Sequence, residues 1–174
     1  MAGIRRYLWI LALAFGVAFL ALGSVFVYQG LATKAEIRVE LLEEKVTTGD
    51  DAVEFGVPAG VPVQDMSTAK AQANVIETHS VERYGRYAEM ERDDPGRDTY
   101  LKGLTLRNSL SIAAMGFGVS DLVIGTGAVI LLIGFLTVVV GVPALYWAKA
   151  AEGQVVKEVS RRVGVTAASA PGYS

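Results

Sequence analysis

Two uncharged stretches, Tyr7 to Gln29 and Leu122 to Ala148, lie near opposite ends of this 174-residue chain. Each is long enough to cross a bilayer as a helix, because a hydrocarbon core of roughly 30 Å needs about 20 apolar residues at 1.5 Å rise per residue. Only helices and closed barrels satisfy every backbone polar group in lipid, so the pattern predicts two transmembrane helices. Arg5 and Arg6 followed by Ala21-Leu22-Gly23 also fit a secretory leader. The apolar run continues through Val25-Phe26-Val27-Tyr28, past the roughly 7–15 residues of a leader's core, and a retained span is the expectation.

Lys and Arg near the span ends set orientation. Arg5 and Arg6 precede the first span, and Lys149, Lys157, Arg161 and Arg162 follow the second. The intervening segment, Gly30 to Asp121, carries ten Lys or Arg against sixteen Asp or Glu. An acidic insert between two basic flanks places both termini in the cytoplasm. The expected organisation is 1–29, flank and first span; 30–121, an acidic extracytoplasmic domain; 122–148, second span; 149–174, cytoplasmic tail. Tyr7, Trp9, Tyr28, Tyr146 and Trp147 suit aromatic anchoring at the interfaces.

Absence of cysteine removes disulfides and thiolate chemistry together. A net charge of -2 and a short basic tail leave no nucleic-acid footprint. The tail cluster of Lys157, Arg161 and Arg162 reads as positive-inside anchoring.

Gly16, Gly23 and Gly30 recur every seven residues, as do Ser120, Gly127, Gly134 and Gly141. A seven-residue period keeps small side chains on one stripe, which lets helix backbones approach closely where lipid offers no hydrophobic drive. These are the expected helix-packing positions, within a hairpin or between copies. Pro143, near the inner end of the second span, removes one backbone hydrogen bond and predicts a kink there.

Within the insert, Thr33 to Val46 alternates like a strand at Ile37, Val39 and Leu41, yet its other residues suit a helix continuing from the first span; helix is the expectation. Gly56, Pro58, Gly60 and Pro62 imply an extended passage. A helix is expected from about Ser67 to Tyr84, capped by Asp65 or Ser67, with a face through Ala69, Ala73, Ile76 and Ser80. Another is expected to begin at Asp93-Asp94-Pro95. Its stripe through Leu101, Leu104, Asn108, Ile112, Met115, Val119 and Leu122 predicts packing on the Ser67 helix.

The strings Glu44-Lys45-Val46-Thr47-Thr48, Thr68-Ala69-Lys70-Ala71-Gln72-Ala73, Glu77-Thr78-His79, Arg92-Asp93-Asp94-Pro95-Gly96-Arg97, Thr105-Leu106-Arg107-Asn108-Ser109-Leu110 and Gly118-Val119-Ser120-Asp121-Leu122 resemble an uncharacterised family of small two-span membrane proteins of high-GC bacteria. The likeness runs from Tyr7 to Lys149 and implies a bacterial cell-membrane topology without an activity. Some members carry an automatic ring-opening dioxygenase label. Such enzymes hold iron with two or more histidines or a two-His-one-carboxylate set, and this chain has one histidine.

That histidine, His79, has Glu82 three residues on, within reach on one helical face. The pair is half a metal site at most, complete only if several copies meet on an axis; a hydrogen-bonding surface histidine accounts for it. Asp121 interrupts an uncharged run and either marks the outer membrane surface or lies deeper and needs a partner such as Arg107. His79, Glu82, Arg107 and Asp121 are thus the candidate polar site. No serine sits in a Gly-x-Ser-x-Gly elbow, and the Gly125-Thr126-Gly127 piece lies within a span, where a nucleotide loop has no context.

The expectation is an all-α membrane protein: two antiparallel transmembrane helices, a mainly helical extracytoplasmic domain between them, and no catalytic, cofactor or metal residues. Its expected partners are the lipid bilayer and either further copies of itself or a larger membrane complex, in which it is a non-enzymatic accessory or self-associating subunit. The alternative is an envelope sensor or ligand-binding module, which predicts a concave apolar pocket with convergent polar groups.

Overall fold

A computed structural model describes residues 7–168, and among these the chain is helical with no strand. Arg5, Arg6 and the end of the tail beyond 168 lie outside the described residues. The α-helices are α1 (Leu8–Glu43), α2 (Met66–Tyr84), α3 (Arg97–Leu136) and α4 (Val142–Ala168), with 3-10 turns at Asp50–Phe55 and Tyr87–Glu89 and a π turn at Thr137–Gly141. Two helical runs, Leu8–Glu43 and Arg97–Arg161, are long and apolar enough to cross a membrane. Only 11% and 6% of their most apolar windows are buried within the chain.

The chain divides into two compact units: Met1–Val25 with Gly127–Ser174, here the apolar unit, and Phe26–Thr126, the inserted unit. These limits fall inside the stretches read as spans, because both α1 and α3 run on as helix past the last uncharged residue. A helix ends where its capping and hydrogen bonding end, and neither is set by the start of a charged sequence.

In the apolar unit, α1 and the end of α3 run antiparallel. Trp9 meets Tyr146 edge to face, their ring centroids 6.1 Å apart. Pro143 acts one turn upstream of itself. Its ring collides with the carbonyl four residues earlier in a regular helix, and here the chain forms the π turn, with the Val142 N–H donating to the Thr137 carbonyl. The extra residue in that turn shifts the helical phase.

In the inserted unit, α1 continues to Glu43 and stops at Lys45, whose φ of 52° is left-handed. Residues 46–63 then fold back on themselves. Thr47 and Pro62 form an isolated antiparallel bridge, and the buried Thr48 hydroxyl donates to the Pro58 carbonyl at 2.7 Å while accepting from the Val61 N–H at 3.0 Å. Gln72 Oε1 accepts from the Gly49 N–H at 2.7 Å, which ties this loop to α2. So the Gly/Pro-rich passage is anchored by one threonine and one glutamine.

Helix α2 opens with a reciprocal capping box: Asp65 Oδ1 accepts from the Thr68 N–H at 2.8 Å, and Thr68 Oγ1 accepts from the Asp65 N–H at 3.2 Å. Burial pushes the Asp65 carboxyl up, but hydrogen bonds from the Thr68 amide, the Ser67 and Thr68 hydroxyls and the Ser67 amide outweigh it and hold the group below its ordinary value. Ala69, Ala73 and Ile76 pack with Leu110, Ala114 and Val63, while Ala71 and Val75 pack with Ala52 and Val57.

Helix α3 departs from expectation in two respects. It begins at Arg97 instead of at Pro95, because Asp94 Oδ1 accepts from the Gly96 N–H at 2.6 Å in a turn that precedes the helix. Its buried face is Tyr100, Leu110, Ala114 and Phe117; Ile112, Met115, Val119 and Leu122 are 58–70% exposed. Apolar residues surround this helix, so a three-and-four spacing can be drawn on more than one face. The face that packs brings α3 close to α2 at a glycine: a methyl added at Gly103 would lie 3.1 Å from Ser80 Oγ.

Candidate functional site

The small-residue stripes meet one another. In the apolar unit, a methyl built on Gly23 would lie 2.8 Å from both the Gly127 carbonyl oxygen and the Leu131 nitrogen, and one on Gly134 would lie 2.9 Å from the Leu20 nitrogen. One on Gly16 would lie 2.6 Å from Val138 Cγ2. In the inserted unit, one on Gly30 would lie 3.0 Å from the Ser120 carbonyl oxygen. The obstacles are largely backbone, which cannot rotate away. Ser120 is buried, its hydroxyl donating to the Gly116 carbonyl at 2.8 Å. Gly141 differs: a methyl there would approach only Thr137 Cγ2 of its own turn, at 3.9 Å. It lies in the π turn, whose added residue takes position 141 off the seven-residue phase.

The four polar candidates do not converge. Asp121 Oδ1 accepts from Lys34 Nζ at 2.6 Å, whereas Arg107 pairs with Glu77 of α2 at 2.8 Å. Arg107 and Asp121 are fourteen residues apart on α3, about 21 Å along the axis at 1.5 Å per residue, too far for a pair. The antiparallel run of α1 brings Lys34 to Asp121 instead. His79 Nε2 lies 2.5 Å from Asp51 Oδ2, both side chains being more than half exposed, while Glu82 is exposed. Its partner comes from the first 3-10 turn, twenty-eight residues away in sequence. Among the described residues, no group of three or more His, Cys, Asp or Glu is placed to hold a metal ion.

Sequence reading missed Lys34, Glu77 and Asp51 as partners. Lys34 and Asp121 carried a usable signal, each being the charge nearest an uncharged stretch on the same side. Nothing local to Glu77 or Asp51 points to its partner, since both contacts depend on how other elements dock.

A hollow of about 510 Å³ in the inserted unit runs between α1 and α3. Ile37, Leu41, Ile112 and Gly116 line it, with Glu40 and Glu43 from the last turns of α1 and Glu44 just past its end. A second hollow of about 420 Å³ shares Ile112 and Gly116 and extends over Met115 and Val119 to Gln29. A tyrosine cluster lies elsewhere in this unit: Tyr84 and Tyr87 flank Tyr100, and the Arg97 guanidinium stands 4.4 Å from the Tyr87 ring centroid.

Comparison with protein-family models, curated proteins and solved structures finds no match. The functional reading therefore stands on the residues and their geometry.

Proposed function

We propose that this chain is a non-enzymatic integral membrane protein of the bacterial cell membrane, an accessory or self-associating subunit of a larger membrane assembly. Both termini lie in the cytoplasm, and residues 30–121 lie outside. The resemblance to the two-span bacterial family supports this placement.

The observation that carries the reading is the apolar face of α3, where Ile112, Met115 and Leu122 are 69%, 70% and 69% exposed. Ile112 stands nine residues before Asp121 on the same helix, about 13 Å from it along the axis. If the Lys34–Asp121 pair marks the membrane surface, Ile112 and Met115 stand on its water side while Leu122 begins the span, and an exposed apolar patch in water signals a partner. The glycines, by contrast, support the helix pair within one chain, since Gly16, Gly23 and Gly30 each meet the other long helix. Assembly through the inserted unit thus has more support than assembly through the stripe.

A small-ligand recognition module is the second reading, favoured by the hollow beside Ile112, whose volume falls within the range of ligand sites. Its polar lining is three carboxylates, Glu40, Glu43 and Glu44, with one hydroxyl, Ser109 of α3, and this rim of one charge sign favours the assembly reading.

Native mass measurement after mild-detergent purification tests the proposal, with a mass above that of one chain expected. A lone chain that retains its fold would overturn it. Topology has its own test in this cysteine-free chain: a cysteine at Ala59 should react with an impermeant reagent on intact cells and one at Ala168 should not. Labelling in the reverse pattern sinks the orientation.

A further inference from the structure

We infer that the α1–α3 groove of the inserted unit receives a cationic amphipathic segment of a different protein; this rests on the assembly reading above and names the partner's chemistry. The two hollows share Ile112 and Gly116 and follow α1 from Gln29 to Glu44, about 22 Å at helical rise. That length suits roughly four turns of a docked helix, whose anchors recur at three- and four-residue spacing.

Charge selects the occupant. Glu40, Glu43 and Glu44 edge one end, and among the described residues no Lys or Arg lines either hollow. Of the nearby cations, Lys34 holds Asp121, Arg38 Nε donates to the Gln64 carbonyl at 3.2 Å, and the exposed Lys45, next to Glu44, lines neither hollow. The end over Met115 and Val119 is apolar. A fitting segment therefore presents aliphatic side chains to Ile112, Met115 and Val119 and Lys or Arg to the three glutamates. A second copy docked face to face would oppose three carboxylates with three more, and like charges juxtaposed across an interface disfavour a pairing. Anionic lipid headgroups meet the same repulsion.

The test places benzoylphenylalanine at Ile112, and separately at Met115, in the full chain in its native membrane; photoadducts are mapped to the peptide by mass spectrometry. The expected adduct is a segment of another protein in which Lys or Arg flanks aliphatic residues within about four helical turns. Reversing the rim with Glu40→Lys, Glu43→Lys and Glu44→Lys should lower its yield about tenfold or more, and the matching Gln variant by several-fold, as three exposed ion pairs together imply. Glu36→Lys, an exposed glutamate outside both hollows, should leave it unchanged. Circular dichroism checks that each variant keeps its helicity.

Adducts only to a second copy, only to lipid, or to a segment without basic residues overturn the inference, as does no adduct. The native mass separates the two claims. A lone wild-type chain removes the assembly reading and the groove proposal with it, whereas a larger mass with no cationic adduct leaves the assembly and removes the groove.

Discussion

The two units are held together by opposite kinds of burial. In the apolar unit the buried residues, among those described, are Gly16, Gly23, Gly127 and Gly134. All twelve buried hydrophobic residues, from Ala52 to Phe117, belong to the inserted unit. The contrast is what two different solvents ask of a helix. Where the surroundings are lipid, a side chain gains nothing by leaving them, and helices associate by bringing backbones close over small residues. Where the surroundings are water, removing apolar side chains from solvent is the dominant favourable term. Under the proposed placement the same α1 and α3 serve both regimes along their length: glycine contacts continue from the apolar unit as far as Gly30 and Ser120, and side-chain burial dominates beyond them.

The comparison is most exposed at Phe117, fully buried in the inserted unit. Phe117→Ala should cost about 3–5 kcal/mol, seen as a lowered midpoint when the full chain is unfolded in detergent by denaturant or heat. A loss no larger than that of an exposed substitution such as Val129→Ala would show that side-chain burial does not hold this unit.

Gly23→Leu probes the other regime. The added side chain meets the Gly127 carbonyl and the Leu131 nitrogen, and overpacking costs about 1–3 kcal/mol. Gly125→Leu, where nothing lies within 4 Å, should be close to neutral in the same melt. Equal effects at the two positions would make the glycines compositional, and the contrast between units would lose one side.

Asp65→Ala removes the α2 cap and should cost about 1 kcal/mol at neutral pH. The sign with pH follows from the lowered carboxyl. A group whose folded pKa is depressed stabilises above its unfolded value, here an ordinary 3.8, and that contribution fades as pH falls through the folded value. The stability gap between wild type and Asp65→Ala should therefore be flat near neutrality and narrow below pH 3.8. A gap that widens in acid would contradict the assignment.

The smallest effect belongs to Lys34 and Asp121. Their side chains are 36% and 49% exposed, so a double-mutant cycle with Lys34→Met and Asp121→Asn should give under about 1 kcal/mol of coupling in aqueous surroundings, reduced further by salt. A markedly larger, salt-insensitive coupling would place the pair inside the low-dielectric region and move the membrane surface outward along both helices.

Much of the fold was legible where the physics is local. Asp65 before an alanine-rich face, with Thr68 three residues on, is a helix start that needs no tertiary partner, and α2 begins and ends within a residue of expectation. Pro143, expected to kink the second span, is preceded by a π turn at Thr137–Gly141. Other features were hidden because they depend on docking. The face of α3 that packs on α2 was misread, since its apolar residues surround the helix and the side that docks is the one carrying Gly103, Leu110 and Ala114. Gly141 kept the sequence period and lost the contact, because a π turn changes the phase without leaving a mark on the spacing. The polar candidates suffered most: His79 turned to Asp51 and Arg107 to Glu77, partners twenty-eight and thirty residues distant in sequence.

By itself, the sequence determined that two long helices of this chain are too apolar to be ordinary surface helices, that an acidic helical insert separates them, and that neither thiol chemistry nor a multi-histidine metal site can be built within one chain. Those properties follow from composition and from periods of one or two helical turns. Tertiary structure decided which glycines touch, which face of α3 remains open, and that Ile37, Leu41 and three glutamates share a groove with Ile112. These follow from the register between elements distant in the chain, where free energy is set by steric fit between surfaces and no single residue carries the information.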